Sequence, residues 1–98
     1  MRLVWTASAQ RDRDAIYDHI EARNPSAAAK LDARFGDVAE RLRRRPGIGR
    51  PGRVPGTREF VAHPSYVLVY EWIEDAVCIL ALVHTSRRWP PDSPGQPE

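Results

Sequence analysis

The sequence predicts a single small α+β domain with an N-terminal strand, a two-helix hairpin and then a mainly antiparallel sheet of three further strands. Three observations lead to this fold class: a strand-like N-terminal segment, two following stretches with helical spacing, and three later segments with strand periodicity. The chain has 98 residues, which is enough for one hydrophobic core but not for two. We therefore expect one domain over residues 1–89 and a disordered, proline-rich tail over residues 90–98.

The first half of the chain is predicted to be a strand followed by a helical hairpin. Residues 2–6 suit a short strand, and Thr6 or Ser8 suits the cap of the first helix. Proline disfavours helical geometry in the residue before it but suits a first helical turn, so Asn24 should cap a second helix that opens at Pro25. That helix carries an apolar stripe with spacings of four, three and four, which predicts one face packed on the core. The stripe consists of Leu31, Phe35, Val38 and Leu42.

The second half is predicted to be a loop and three further strands. Residues 46–56 are too rich in glycine and proline for a helix or a strand, so we expect a loop there. Residues 58–63 and 65–73 suit two strands, the second with apolar side chains on both faces. After a tight turn at residues 74–75, residues 76–84 are almost wholly apolar, which predicts a central strand buried on both faces.

The charge of the chain is small in total but uneven. Its formal net charge is +2, yet the stretch from Arg41 to Arg58 contains seven arginines and no acid, which suits an anionic partner. The longest apolar run, residues 76–83, is too short to span a membrane. One cysteine and three dissimilar histidines support neither an internal disulfide nor a zinc site. We expect no metal, no cofactor, no membrane partner and a location in the reducing cytoplasm.

Three local sequences, taken with the order of the elements, carry a family resemblance. They are Val4-Trp5-Thr6-x-x-Ala9, then Pro55-Gly56-Thr57-Arg58-Glu59 with Tyr66-x-Leu68-Val69-Tyr70, and Leu82-Val83-His84-x-x-Arg87. In this order the chain resembles the RelE/ParE toxins of bacterial type II toxin–antitoxin systems over about residues 2–89. Membership implies a two-layer fold and a growth-inhibiting toxin, often encoded on plasmids. It also implies a hetero-oligomer with a cognate antitoxin, which we expect to be acidic and to fold on binding.

The resemblance leaves the target of the toxin open, since RelE-like members cut mRNA in the ribosomal A site, ParE-like members inhibit DNA gyrase, and both share one fold. Two features depart from the nuclease pattern. Val67 stands where an arginine would follow the strand tyrosine, and Trp89 and prolines replace a tyrosine-bearing C-terminal helix. We expect ribosome-dependent mRNA cleavage, with gyrase inhibition without catalysis as the alternative. A module that only binds its antitoxin is a third possibility.

Candidate catalytic residues follow from what metal-free RNA cleavage requires: a proton acceptor, an acid, and cations near the phosphorus. His84 and Arg87 come first, because histidine titrates near neutral pH and arginine holds a phosphate. Arg58 and Glu59 come next, where the positive loop meets the sheet. The alternatives are a His84 that ends a buried strand and is satisfied by a backbone carbonyl, and an ordinary ion pair of Arg58 and Glu59 at a strand end.

Four further residues are predicted to bind a substrate or a partner without reacting. They are Arg50, Arg53, Arg88 and Trp89. Arg50 and Arg53 project from the loop, where their charge can steer a polyanion, although a solvated basic loop is the alternative. The stripe formed by Tyr66, Tyr70 and Trp72 could stack bases, but core packing is the more common role of such a stripe.

Overall fold

The computed structural model describes residues 1–91, which form a five-stranded sheet with two helices packed on one face. The elements are β1 (Arg2–Trp5), α1 (Ala7–Glu21), α2 (Pro25–Arg44), β2 (Arg50–Pro51), β3 (Thr57–His63), β4 (Tyr66–Ile73) and β5 (Ala76–His84). The strand order is β1-β5-β4-β3-β2, with β1 parallel to β5 and the other pairs antiparallel. The predicted fold class is confirmed. The tail predicted over residues 90–98 lies outside the described residues from position 92 onward.

Both helices begin at the predicted caps. The Thr6 side chain accepts a hydrogen bond from the backbone N–H of Ala9 at 3.1 Å, and Asn24 accepts one from Ala27 at 3.1 Å. Each bond satisfies a backbone donor that has no partner within the helix. Pro25 opens α2, where its missing N–H is not needed. The local sequence therefore defines where the helical hairpin turns.

The stretch after α2 is more ordered than the predicted loop, and that prediction is wrong in part. Pro46–Ile48 forms a turn of 3-10 helix, and β2 then pairs with β3, so four strands follow the helices and not three. The cause is a buried tyrosine. The Tyr70 hydroxyl donates to the Pro46 carbonyl at 2.7 Å and accepts from the Gly49 N–H at 3.0 Å. A side chain at position 49 would collide with the Tyr70 ring, so glycine is needed there.

The core lies between the helices and one face of the sheet. The predicted stripe of α2 is buried, and it packs against buried side chains of β4 and β5. These sheet residues are Leu68, Tyr70, Val77, Ile79 and Leu82. The prediction for β5 is confirmed, because it lies between β1 and β4 and buries residues on both faces. Trp72, the last residue of the predicted aromatic stripe, is 46% exposed and is therefore not part of the core.

Neither of the two helices in the described part of the chain is long and apolar enough to cross a bilayer.

Candidate functional site

The register of β3, β4 and β5 distributes the candidate residues over two faces of the sheet. We call the face under α1 and α2 the helix-covered face and the other the open face. Arg58 lies opposite Tyr70, a core residue of the helix-covered face, whereas Glu59 lies opposite Val69 on the open face. His84 lies opposite Tyr66 on the helix-covered face. Residues adjacent in sequence therefore serve different surfaces.

A shallow groove of about 160 Å³ lies on the open face, and we call it the arginine groove. Its floor consists of Val67, Val69 and Val83. Its walls are Arg50, Arg53, Glu59, Thr85, Arg87, Arg88 and Trp89. The groove thus brings together six of the eight site residues predicted from the sequence, drawn from β2, the β2–β3 loop, β3 and the segment after β5.

The arginine groove is strongly positive. Arg50 forms an ion pair with Glu59 at 3.1 Å, so the strand-end ion pair expected as an alternative exists, although its cation is Arg50 and not Arg58. Arg53, Arg87 and Arg88 are exposed and form no ion pair within residues 1–91. Exposed, unneutralised guanidinium groups are available to an anionic partner.

Arg58 lies apart from this groove and supports the loop that carries Arg50. Its Nη1 donates to the Gly49 carbonyl at 3.0 Å on the helix-covered face. Gly49 is the residue whose N–H bonds to Tyr70. Arg58 and Tyr70 together therefore hold both polar groups of one glycine, which places the start of β2.

His84 also lies apart from the arginine groove. Its Nδ1 accepts a hydrogen bond from the Ser86 N–H at 3.1 Å and lies 2.8 Å from the Ser86 hydroxyl. Its ring meets the edge of Tyr66, with 5.5 Å between the ring centroids. The alternative expected for His84 was a buried ring satisfied by a backbone carbonyl, but the ring is exposed and its Nδ1 accepts from a backbone N–H.

A second and larger groove, of about 570 Å³, lies between α1, the end of β5 and residues 86–91, and we call it the α1–β5 groove. Its lining is mostly apolar and includes Ala15, Ile16, Tyr66, Leu82 and Pro91. His84 and Asp12 contribute polar groups. Arg87, Arg88 and Trp89 line this groove as well as the arginine groove, so one short segment separates the two.

Asp12, an acidic residue of α1, is not among the site residues predicted from the sequence. Its Oδ2 accepts the backbone N–H of Leu82 at 3.1 Å, and the side chain is half-buried. Burial raises the pKa of Asp12, against the opposing effects of this hydrogen bond and of Arg11. Nothing in the local pattern of α1 distinguishes Asp12 from its acidic neighbours, so the sequence held no signal for this role.

Two other features of the site were missed. The valine floor had a signal, because Val67 and Val69 occupy one face of an alternating strand. The hydroxyl of Tyr70 had none, because the residues it binds are 21 and 24 positions away in the chain. Burial raises the pKa of Tyr70, so the hydroxyl stays protonated and able to donate.

Within residues 1–91, no three histidine, cysteine or acidic side chains come together as metal ligands would.

Comparisons with known proteins agree on one family. Residues 3–89 match the family described as the ParE toxin of type II toxin–antitoxin systems, parDE. The chain is 41% identical over 90 residues to Y4kP of Sinorhizobium fredii, which is named as a toxin, covering 91% of this chain and 93% of that protein. It is 34% identical over 86 residues to toxin RelE2 of Caulobacter vibrioides, covering 88% of this chain and 97% of that one.

A solved structure adds agreement in three dimensions. The chromosomal ParDE toxin–antitoxin system of P. aeruginosa contains a chain that superposes with a TM-score of 0.77 at 30% identity. The match covers 86% of this chain and 95% of the other. A YoeB/ParE toxin from Agrobacterium tumefaciens, at 18% identity and a TM-score of 0.62, shares the fold. With its family match over nearly the whole domain, this chain belongs to the ParE toxins of type II toxin–antitoxin systems.

Proposed function

We propose that this toxin inhibits growth by binding DNA gyrase through the arginine groove, without cleaving RNA, and that its cognate antitoxin neutralises it. This is the alternative that the sequence left open beside mRNA cleavage. The observation that carries it is the composition of the groove, whose floor is three valines and whose one described acid, Glu59, is held by Arg50.

Cleavage of RNA needs a base and an acid within hydrogen-bond reach of one phosphate. His84 and Arg58, two of the four predicted catalytic residues, lie on the helix-covered face, while Glu59 lines the open face. Of the four predicted catalytic residues, Arg87 is the one that lines both grooves. Arginine does not exchange protons at neutral pH. Of the predicted proton-transfer groups, His84 therefore faces the α1–β5 groove and Glu59 faces the arginine groove.

The size and chemistry of the arginine groove suit a protein partner. Its volume of about 160 Å³ is below the roughly 300–1,000 Å³ of small-molecule sites and suits a side chain or two of a partner. An apolar floor with arginine walls matches an acidic segment that carries aliphatic side chains. The match to the ParE family and the similarity to the ParDE structure support gyrase as the target.

Ribosome-dependent mRNA cleavage, which we expected from the sequence, is the second candidate. The observation in its favour is the 34% identity to a protein named toxin RelE2. The two functions differ in their products, since one leaves cut RNA and the other leaves all RNA intact.

The experiment is a supercoiling assay with purified gyrase. The wild-type toxin should inhibit supercoiling. The Arg53→Glu variant should reach the same inhibition only at a concentration at least about tenfold higher, as expected for loss of an important interface arginine. Arg34→Glu is the matched control, because Arg34 is exposed on α2 and lines neither groove. Absence of inhibition by a wild-type toxin that still binds its antitoxin would contradict the proposal.

A further inference from the structure

The outer face of α2 carries a row of exposed cations, which we call the α2 basic stripe. Its members are Lys30, Arg34, Arg41, Arg44 and, at the end of the helix, Arg45. Residues three, four or seven apart lie on one side of a helix, so the row extends over about 22 Å at about 1.5 Å per residue. None of the five forms an ion pair within residues 1–91. The stripe therefore presents several charges that are available to a partner.

The stripe lies on the side of α2 that faces away from α1. Asp32, on the other side of α2, pairs with Arg13 of α1 at 2.7 Å. Arg41 instead lies over the Phe60 ring of β3, 5.5 Å from its centroid. The helix layer is thus basic along one side, and a polyanion is attracted to that side. Exposed acids are found on α1, at Asp14, Asp18 and Glu21.

The stability of the helix accounts for only part of the stripe. Cations in a last turn oppose the negative end of the helix dipole, which explains Arg41 and Arg44. Lys30 and Arg34 lie at least about two turns earlier, where this effect has faded. An exposed helix that is stabilised by its own ion pairs alternates acids and bases, but the stripe includes a single acid, Asp37. The pattern therefore points to a partner that supplies the negative charge.

The chemistry of the stripe suits the backbone of duplex DNA. Protein interfaces have an apolar core, and the exposed apolar residues near the stripe are two alanines, Ala29 and Ala33. Single-stranded RNA stacks its bases on aromatic side chains, but the one aromatic residue of α2, Phe35, is buried. A DNA duplex presents about one negative charge per 1.7 Å of its axis. A row of cations along a helix matches that charge through phosphate contacts alone.

We infer that the α2 basic stripe binds the phosphate backbone of duplex DNA, irrespective of its sequence. The stripe belongs to the helices that cover one face of the sheet, and the arginine groove lies on the open face. One toxin molecule can therefore bind DNA and a protein partner at the same time. Because gyrase acts on duplex DNA, the contact holds the toxin on the substrate of its target. This consequence rests on the proposed function, whereas the DNA contact does not.

The first test measures binding of the full-length toxin to a mixed-sequence DNA duplex by fluorescence anisotropy. Arg34→Glu should weaken binding about fivefold or more, because a phosphate contact becomes a repulsion. The matched control is Arg11→Glu on α1, an exposed position without an ion pair in the described part of the chain. It changes the net charge equally and should weaken binding less than about twofold. Equal losses would mean that net charge alone attracts the DNA and would overturn the inference.

The salt dependence of binding counts the phosphate contacts. The logarithm of the binding constant falls with the logarithm of the salt concentration, with a slope of about −0.9 for each neutralised phosphate. Arg34→Gln should make this slope shallower by about 1, and Arg11→Gln should leave it unchanged. A slope that Arg34→Gln does not change would overturn the inference. Circular dichroism of each variant establishes that it is folded.

Further comparisons test other surfaces and other partners. Arg53 lines the arginine groove, and a loss with Arg53→Glu as large as that with Arg34→Glu would place the duplex in that groove. Tighter binding of a single-stranded RNA of equal length would assign the stripe to RNA. Displacement of the duplex by polyglutamate at equal charge concentration would assign it to an acidic protein. Each of these outcomes would overturn the inference.

The supercoiling assay tests the proposed function separately. The Arg34→Glu toxin should still inhibit gyrase, because its arginine groove is intact. A wild-type toxin that never inhibits gyrase would contradict the proposed function alone, since DNA binding is measured without gyrase.

Discussion

The two faces of the sheet are built from the same strands but serve different purposes. On the helix-covered face, β4 and β5 contribute fully buried side chains such as Leu68, Tyr70 and Ile79, and Tyr70 bonds to the loop after α2. On the open face, three valines form a floor beneath four arginines, of which Arg50 forms an ion pair with Glu59. One face stabilises the domain, and the other carries exposed charge above apolar side chains.

Neighbouring residues of one strand can have different roles because they lie on opposite faces of the sheet. Arg58 and Glu59 are adjacent in sequence, yet Arg58 supports Gly49 on one face and Glu59 lines the arginine groove on the other. A strand directs successive side chains to opposite faces. Proximity in sequence within a strand is therefore weak evidence that two residues share a site.

The largest expected difference between the faces is in core packing. Leu68→Ala should lower the free energy of unfolding by about 2–5 kcal/mol, because Leu68 is fully buried under the helices. Val67→Ala, one residue away on the open face and half-buried, should cost only about 1 kcal/mol. Urea unfolding of both variants checks this, and similar losses at the two positions would remove the distinction between the faces.

Removal of the Tyr70 hydroxyl should have the next largest effect on stability. Tyr70→Phe leaves the Gly49 N–H and the Pro46 carbonyl without this partner, so we expect a loss of about 1–3 kcal/mol. Tyr66→Phe is the control, since the Tyr66 hydroxyl makes no hydrogen bond to the described residues, and it should change stability by about 0.5 kcal/mol or less. Thermal and urea unfolding measure both variants. An equally small effect at Tyr70 would mean that its hydroxyl does not stabilise the loop after α2.

Arg58 and Arg53 should separate stability from inhibition. Arg58→Ala should lower the free energy of unfolding by about 1 kcal/mol through loss of its bond to Gly49, while the folded variant still inhibits its target. Arg53→Ala should leave stability within about 0.5 kcal/mol and weaken inhibition. Unfolding curves and the supercoiling assay together test the pair. The reverse pattern would mean that Arg58 acts at the target and Arg53 supports the fold.

The smallest expected effect is a pH dependence at Asp12. Burial raises its pKa above the unfolded value of 3.8, so the folded state holds the proton more tightly than the unfolded chain does. The free energy of unfolding of the wild type should therefore fall relative to that of Asp12→Asn as the pH rises from about 3.8 through the raised pKa.

Urea unfolding at several pH values measures the difference between wild type and Asp12→Asn. The exposed Asp37→Asn variant controls for the loss of one negative charge. A difference between wild type and Asp12→Asn that is constant with pH, or that has the opposite sign, would contradict the assignment.

The sequence predicted most of the fold because the signals were local. The caps at Thr6 and Asn24, the α2 stripe and the apolar β5 depend on neighbours within a few residues. The 3-10 turn and β2 that follow α2 were not predicted, because they depend on Tyr70, which lies more than twenty residues further along the chain. Local composition does not report such a contact.

The candidate site was predicted by composition more than by geometry. The clustering of arginines between positions 41 and 58 selected Arg50 and Arg53, and these line one groove with Arg87 and Arg88. His84 and Arg58 were selected for their chemistry, but the faces of their side chains depend on strand register, which is a tertiary property. The role of Asp12 depends on where β1 ends relative to β5, and no pattern within α1 encodes it.

The central claim is that this toxin binds its target through the arginine groove and cuts no RNA. The most direct measurement is a map of RNA 5′ ends across the transcriptome shortly after wild-type toxin is induced, compared with cells that also express the antitoxin. We expect the same 5′ ends in both samples, while the growth-arrested cells filament and their DNA is broken. New 5′ ends within codons of translated mRNA, appearing only when the toxin is free, would contradict it.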